Sequence, residues 1–323
     1  MLSAIAVSVV AWAMLALWFD GPSSRPLAGA LCAATAIISL SLAVRVRPYS
    51  RGLLAAILPA VVVMAWWVSI APSTSRNWTP DVARTANAVF QGSSVIIRNV
   101  RNFEYRSETD YDQHWDTRTY ELGAIRGFDL FLSYWGPTQI AHTIASWDFG
   151  DGQHLAISIE TRKENGESYS ALRGFFRQYE LHYVIADERD LIGLRANFRG
   201  EQVYLYRVRI PVSQARALLI EYLNEVNRLA GHPQWYNALT HNCTTAIRGH
   251  GQHVGGSGPW DWRLLLNGHL DQLLYERGQI DTSLPFDDLR ARSNITARAA
   301  AAGDSAFFSS RIRGLPDPPG TSQ

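Results

Sequence analysis

The sequence predicts an α+β domain with an antiparallel sheet, preceded by three transmembrane helices. Three observations lead there: long uncharged apolar runs open the chain, a hairpin signature joins two strands near its middle, and an amphipathic helical pattern follows a further strand. The 323 residues suffice for one or two domains, and a formal net charge of +1 gives no electrostatic footprint for nucleic acid.

The runs Leu2–Phe19, Leu27–Val44 and Leu53–Pro72 contain no charged residue. Each approaches the roughly 20 residues needed to cross a bilayer core. The first lacks the basic n-region of a cleaved signal peptide, and two more spans follow at once, so it reads as a membrane helix. Arg45, Arg47 and Arg51 lie in the second connection, against Arg25 beside Asp20 in the first. Positive charge is retained inside, which sends everything after Ser73 to the outer face, the periplasm of a bacterium with two membranes. Trp66, Trp67 and Trp78 suit the outer interface. The expected organisation is three helices within 1–72, one domain over 73–313 and a disordered tail over 314–323, in a multi-pass protein of the bacterial inner membrane.

Within the domain, Val95–Val100 and Phe103–Tyr105 read as strands, and a Trp- and Tyr-rich segment runs through Trp135. Ile140–Phe149 and His154–Glu160 form a hairpin through Gly150-Asp151-Gly152. Val203–Ile210 alternates as a strand. Pro211 then sets up a helix over Ser213–Leu229, with apolar residues at Ala217, Ile220, Leu223, Val226 and Leu229, stopped by Gly231 and Pro233. The Arg-, Ala-, Gly- and Pro-rich C-terminal segment is expected to be peripheral and frayed. There is no internal repeat and no phosphate-binding glycine loop.

A three-residue loop at Gly150–Gly152 makes paired positions sum to a constant, which sets His142 across from Glu160 with Cβ atoms about 5 Å apart. Ala145, Trp147, Leu155, Ile157 and Ile159 share the opposite, apolar face, and a one-residue slip would put Glu160 among them. A carboxylate at that distance orients an imidazole and favours its protonated form. The candidate nucleophile is Cys243, in Asn242-Cys243-Thr244-Thr245, the only cysteine besides Cys32 of the second apolar run. A thiol at a helix N-terminus is biased towards thiolate, and an unpaired thiol in an oxidising compartment suggests use. His142 would take its proton, Glu160 would orient His142, and helix-start N–H groups would hold an oxyanion.

Other readings of these residues remain open at this level. Cys243 could be a small buried apolar residue, His142 a satisfied strand histidine, and Glu160 a partner of Arg162 or Lys163. His241, His250 and His253 lie near Cys243, but their spacing matches no strong zinc signature, and no metal or cofactor is expected. His154 and Asp148 form a second cross-strand pair. Arg173, Arg177 and Arg189 could hold an anionic group, though such clusters are more often solvated or ion-paired.

Several motifs resemble the Lnb N-terminal periplasmic domain family. They are Ala141-His142-Thr143, Phe149-Gly-Asp-Gly152, Ser158-Ile-Glu160-Thr-Arg162-Lys163-Glu164 and Gly166-Glu167-Ser168-Tyr169-Ser170. The likeness continues through Phe176-Arg177-Gln178-Tyr179-Glu180-Leu181, Asp187-Glu188-Arg189-Asp190, Val203-Tyr-Leu-Tyr-Arg207 and Tyr236-Asn237-Ala238-Leu239-Thr240-His241-Asn242-Cys243-Thr244-Thr245. It spans about Arg76 to Arg313. The resemblance implies a permuted papain-like, NlpC-type thiol enzyme, related to lecithin:retinol acyltransferase. It implies a lipoprotein N-acyltransferase that moves an acyl chain from a membrane phospholipid to the terminal amine of a lipoprotein, with Cys243 as nucleophile, His142 as base and Glu160 as third member. A thiol peptidase or amidase of the cell envelope, or a non-enzymatic membrane scaffold, are the rival readings.

Overall fold

An uncharged apolar run satisfies its backbone polar groups internally by coiling, and in the computed structural model the opening of the chain is helical throughout. The structure describes residues 1–238, 240, 243–255 and 258–316. Helices α1 (Leu2–Asp20), α2 (Arg25–Arg45), α3 (Tyr49–Ala56) and α4 (Leu58–Ser69) come first. By length and composition the three helical stretches Leu2–Asp20, Arg25–Arg45 and Tyr49–Ser69 can each cross a membrane. The third differs from the expected unbroken Leu53–Pro72. It starts earlier, and the helix is interrupted at Ile57 because Pro59 offers no N–H and its ring crowds the carbonyl four residues back.

These helices form one compact unit together with Glu167–Glu180 and Gln234–Ala238. Inside that unit Asp20 accepts hydrogen bonds from Trp67 Nε1 at 2.6 Å, Gln178 Nε2 at 2.7 Å and the Arg177 amide at 3.2 Å. The Arg177 guanidinium stacks 4.4 Å over the Trp67 ring. Arg177 is therefore engaged by the helices of its own unit, not held on a solvated face.

The second unit holds the sheet. Its strands are β1 (Asn87–Gln91), β2 (Ser94–Arg101), β3 (Glu104–Tyr105), β4 (Tyr111–Asp112), β5 (Trp115–Glu121), β6 (Gly127–Tyr134), β7 (His142–Gly150), β8 (Gln153–Arg162), β9 (Glu180–Ala186) and β10 (Gln202–Val208). Among the described residues the main sheet runs β1-β2-β9-β8-β7-β6-β10, with β5 also on β2 and β3-β4 apart as a small ribbon. The β1–β2, β2–β5, β7–β8, β6–β7 and β6–β10 pairs are antiparallel, and Arg101 of β2 forms a parallel bridge with Ala186 of β9. The fold is thus α+β with an antiparallel-rich sheet, as the sequence predicts.

The β7–β8 register matches the expected one from Ile144↔Ser158 through Asp148↔His154. A one-residue shift then pairs Gly150 with Gln153, leaving a two-residue turn at Asp151-Gly152 in place of the expected three-residue loop. Gly150, Asp151 and Gly152 all have positive φ (83°, 51° and 78°), which is why two of the three are glycine.

Helices pack against the sheet. They are α5 (Glu188–Gly193), continued by a π-turn over Leu194–Phe198, α6 (Val212–Gly231), α7 (Cys243–His253), α8 (Leu270–Glu276), α9 (Phe286–Ser293), α10 (Thr296–Ala302) and α11 (Phe308–Ile312). On one side the Trp147 indole donates to Ala215 O of α6 at 2.8 Å and meets Tyr222 edge-on at 5.1 Å. On the other, Ile144 and Ala156 join a core with Ile192, Ala299, Phe308 and Ile312. The hairpin is consequently buried on both faces.

That second core corrects the expectation of a frayed C-terminal segment. Small alanines let α10 approach closely, and Arg313 spans buried Asp129 and Glu188 at 2.7 Å each. Of the predicted tail over 314–323, residues 317–323 lie outside the described residues.

Candidate functional site

The entrance of β7 meets the start of α7, and α7 packs against β7 and β8. His142 is the first residue of β7 and Cys243 the first of α7, so backbone placement alone brings ring and thiol together. The Cys243 thiol faces the His142 side chain, and that imidazole and the Thr143 backbone N–H are the neighbours that favour its thiolate form. The Nε2 atom of His142 lies 2.7 Å from Ser158 Oγ and 3.2 Å from Glu160 Oε1. Ser158 Oγ donates to the same Glu160 oxygen at 2.5 Å, and Arg195 Nη2 does so at 2.6 Å. The structure thus brings together all three residues singled out from the sequence.

Electrostatics follow from that packing. Burial and the Arg195 charge lower the His142 pKa, but the Glu160 charge and the hydrogen bonds to Cys243 and Glu160 outweigh them and raise it to about 9. Burial pushes the Cys243 thiol up; the His142 hydrogen bond and charge, with the Thr143 N–H, bring it below its ordinary value. Burial likewise opposes ionisation of Glu160, yet the His142 and Arg195 charges hold it well below the usual carboxylate range. The three groups favour a thiolate, an imidazolium and a carboxylate in sequence. The coupling is mutual, so each charge depends on its neighbour being charged.

Three further residues complete the cluster, and sequence reasoning did not assign them. Arg195 projects from the π-turn after α5 and also approaches Glu201 at 3.6 Å, while Ser133 Oγ donates to Glu201 at 2.5 Å. Ser158 sits two residues before Glu160 on the same face of β8, a period-two relation visible in the quoted Ser158-Ile-Glu160 motif. Asn267 is buried and fastens β7 to α7. Its Nδ2 donates to Ala141 O at 2.6 Å and Thr244 Oγ1 at 2.5 Å, its Oδ1 accepts the Ala141 amide at 2.9 Å, and Nδ2 lies 3.9 Å from Cys243 Sγ. Glycine is required next to it, because a Cβ on Gly268 would stand 1.9 Å from the Thr138 carbonyl oxygen.

The alternative groupings resolve differently. His250 Nε2 pairs with Tyr183 Oη at 2.8 Å, and burial first of all lowers its pKa to about 4. His253 Nδ1 lies 2.6 Å from Glu221. His241, and Asn242 beside Cys243, lie outside the described residues. Among the described residues one group has metal-ligand geometry, Asp129 with His154 and Glu188, and Arg313 bridges its two carboxylates. Arg189 is ion-paired with Asp304, in keeping with the ion-pair reading of the charged stretches.

An α+β domain with a thiol, an imidazole and a carboxylate in one enclosed cluster, behind three helices able to span a membrane, defines the class. Residues 111–268, just under half of the chain, match the family model of the Lnb N-terminal periplasmic domain. The matched stretch contains His142, Ser158, Glu160, Arg195, Cys243 and Asn267. No significant match was found among the curated proteins or the solved structures.

Proposed function

We propose that the protein is a membrane-anchored periplasmic thiol acyltransferase that moves an acyl chain from a phospholipid to the amine of a lipoprotein or similar acceptor. The observation that carries this reading is one cluster in which Glu160 stands 3.2 Å from His142, Asn267 ties Ala141 to the start of α7 at Cys243 and Thr244, and the thiol is lowered while the imidazole is raised. The Cys243 thiolate attacks the ester carbonyl, and a C–S bond forms as the C–O bond breaks. Protonated His142 delivers its proton to the departing lipid alkoxide. The acceptor amine then attacks the thioester; an N–C bond forms, the C–S bond breaks, and the amine proton returns to His142. Glu160 stabilises the imidazolium and fixes its ring, while the Thr143 N–H steadies the thiolate.

In this reading the domain is a permuted papain-like one, with the order His, Glu, Cys along the chain giving the usual spatial triad. The three helices are membrane spans, multi-pass in the inner membrane, oriented by Arg45, Arg47 and Arg51 inside. Holding the domain beside the bilayer raises its effective concentration towards lipid. The test is the intact mass of protein incubated with phospholipid vesicles. A fatty-acyl increment on the wild type, absent in Cys243→Ser, supports the proposal. A peptidyl adduct from envelope peptides in its place would indicate a peptidase or amidase. A thiol inert to iodoacetamide near neutral pH would indicate a scaffold.

A further inference from the structure

An apolar cavity of about 130 Å³ lies along α7. Its wall on that helix is Thr244, Ile247, Arg248 and Gly251, with Val254 just beyond, a spacing that keeps to one helical face. The cavity therefore begins at the residue after Cys243 and follows the helix for about 15 Å, at about 1.5 Å per residue. The facing wall is supplied by Leu130 of β6, Leu218 of α6, and Leu270, Leu273 and Leu274 of α8. Every one of these positions belongs to the unit that holds the sheet.

We infer that this cavity receives the acyl chain of the lipid donor, an inference that rests on the acyl-transfer reading above. Three features select that occupant. A peptide would bury backbone N–H and C=O groups against a predominantly apolar wall, whose uncharged polar members are Gln214, Thr244 and Gln279, and each unpaired group costs free energy; an acyl chain carries no such groups. The volume is close to that of a cavity of about 150 Å³ known to admit benzene, so it takes a segment of about six carbons and leaves the rest of a longer chain outside. Two guanidinium groups, Arg248 and Arg277, are the charged members of the wall. The buried Nε of Arg248 has no hydrogen-bond partner among the described residues. A cation in that position complements the phosphate of the same lipid whose chain fills the cavity.

The experiment uses the full chain in phospholipid nanodiscs containing a phosphatidylcholine with a diazirine in one acyl chain. After photolysis the cross-linked peptides are mapped by mass spectrometry. The inference expects cross-links on residues 244–254 and 270–274, in the wild type and in Cys243→Ser alike. Ile247→Trp and, independently, Val254→Trp fill the cavity and should reduce those cross-links at least tenfold. In both variants, cross-links to α1–α4 and the rate of Cys243 alkylation should stay within twofold, which reports an intact fold. Absence of cross-links from α7 and α8 in the wild type, or their persistence in both tryptophan variants, overturns the inference. Cross-links that behave as expected, in a protein whose Cys243 never gains an acyl mass, would leave the cavity standing and remove the acyl-transfer reading instead.

Discussion

The β7–β8 hairpin holds two histidine–carboxylate pairs built by one register, and they differ in what surrounds them. At the open end, His142 has Ser158 and Glu160 at Nε2 and the Cys243 thiol as a further partner. At the turn end, His154 Nδ1 bonds the Gly152 carbonyl at 3.1 Å, and Nε2 stands 3.9 Å from Asp148 with no hydrogen bond among the described residues. Asp148 itself is engaged by Arg207 and the Gly150 amide, each at 2.8 Å. The same pairing therefore yields a polarised centre only where a helix delivers a thiol and the carboxylate comes within 3.2 Å of the ring, against 3.9 Å at the turn end. Cross-strand geometry supplies the pair; tertiary packing decides its use.

Substitution should break the symmetry of the two pairs. Cys243→Ser and His142→Ala are each expected to lower acyl-enzyme formation on the order of 10⁴-fold, read by single-turnover mass spectrometry, because the groups act as a unit. Glu160→Gln should cost about 10²-fold, since the imidazolium loses its counter-charge while Arg195 keeps only Glu201 as a carboxylate partner. The wild-type transfer rate should fall about tenfold per pH unit above about 9, where His142 loses its proton, and a flat profile to pH 10 would contradict the assignment. Stability follows the same sign. The folded His142 titrates above its ordinary 6.5, so its contribution is complete below that value and is lost as the pH rises through about 9.

Asn267→Ala removes the fastening between Ala141 and Thr244, and should cost about tenfold in rate through misplacement of Cys243, with about 1–3 kcal/mol in urea unfolding from the unpaired Ala141 amide and carbonyl. The smallest effect is the control at the other end of the hairpin. His154→Gln should leave the rate within about twofold, and a loss matching that of His142→Ala would erase the distinction between the pairs.

Much of this was legible in the sequence because it depends on local periodicity. Strand alternation and the glycine turn gave the cross-strand placement of His142 and Glu160, and uncharged length gave the three apolar helices. Two kinds of information escaped. Arg195 and Asn267 reach the site from a π-turn and a helix entry far along the chain, where no repeating pattern marks them. The C-terminal helices looked frayed because alanine and arginine carry little apolar signal. Ala299 and Ala302 nonetheless pack tightly because they are small, and Arg313 is buried because two carboxylates await it. The break at Ile57 had a visible cause in Pro59, which hydropathy alone overlooks.

Arg313 also imposes an order of events on biogenesis. Glu188 has no other guanidinium among its described partners, and removal of one member of a buried ion pair costs about 3–5 kcal/mol. A ribosome that has not yet released residue 313 holds a domain whose sheet can form but whose interior charge is unbalanced. Locking of the β6–α5 region is thus among the last steps of folding, and truncation only a few residues upstream should be read by the cell as an unfinished protein and degraded.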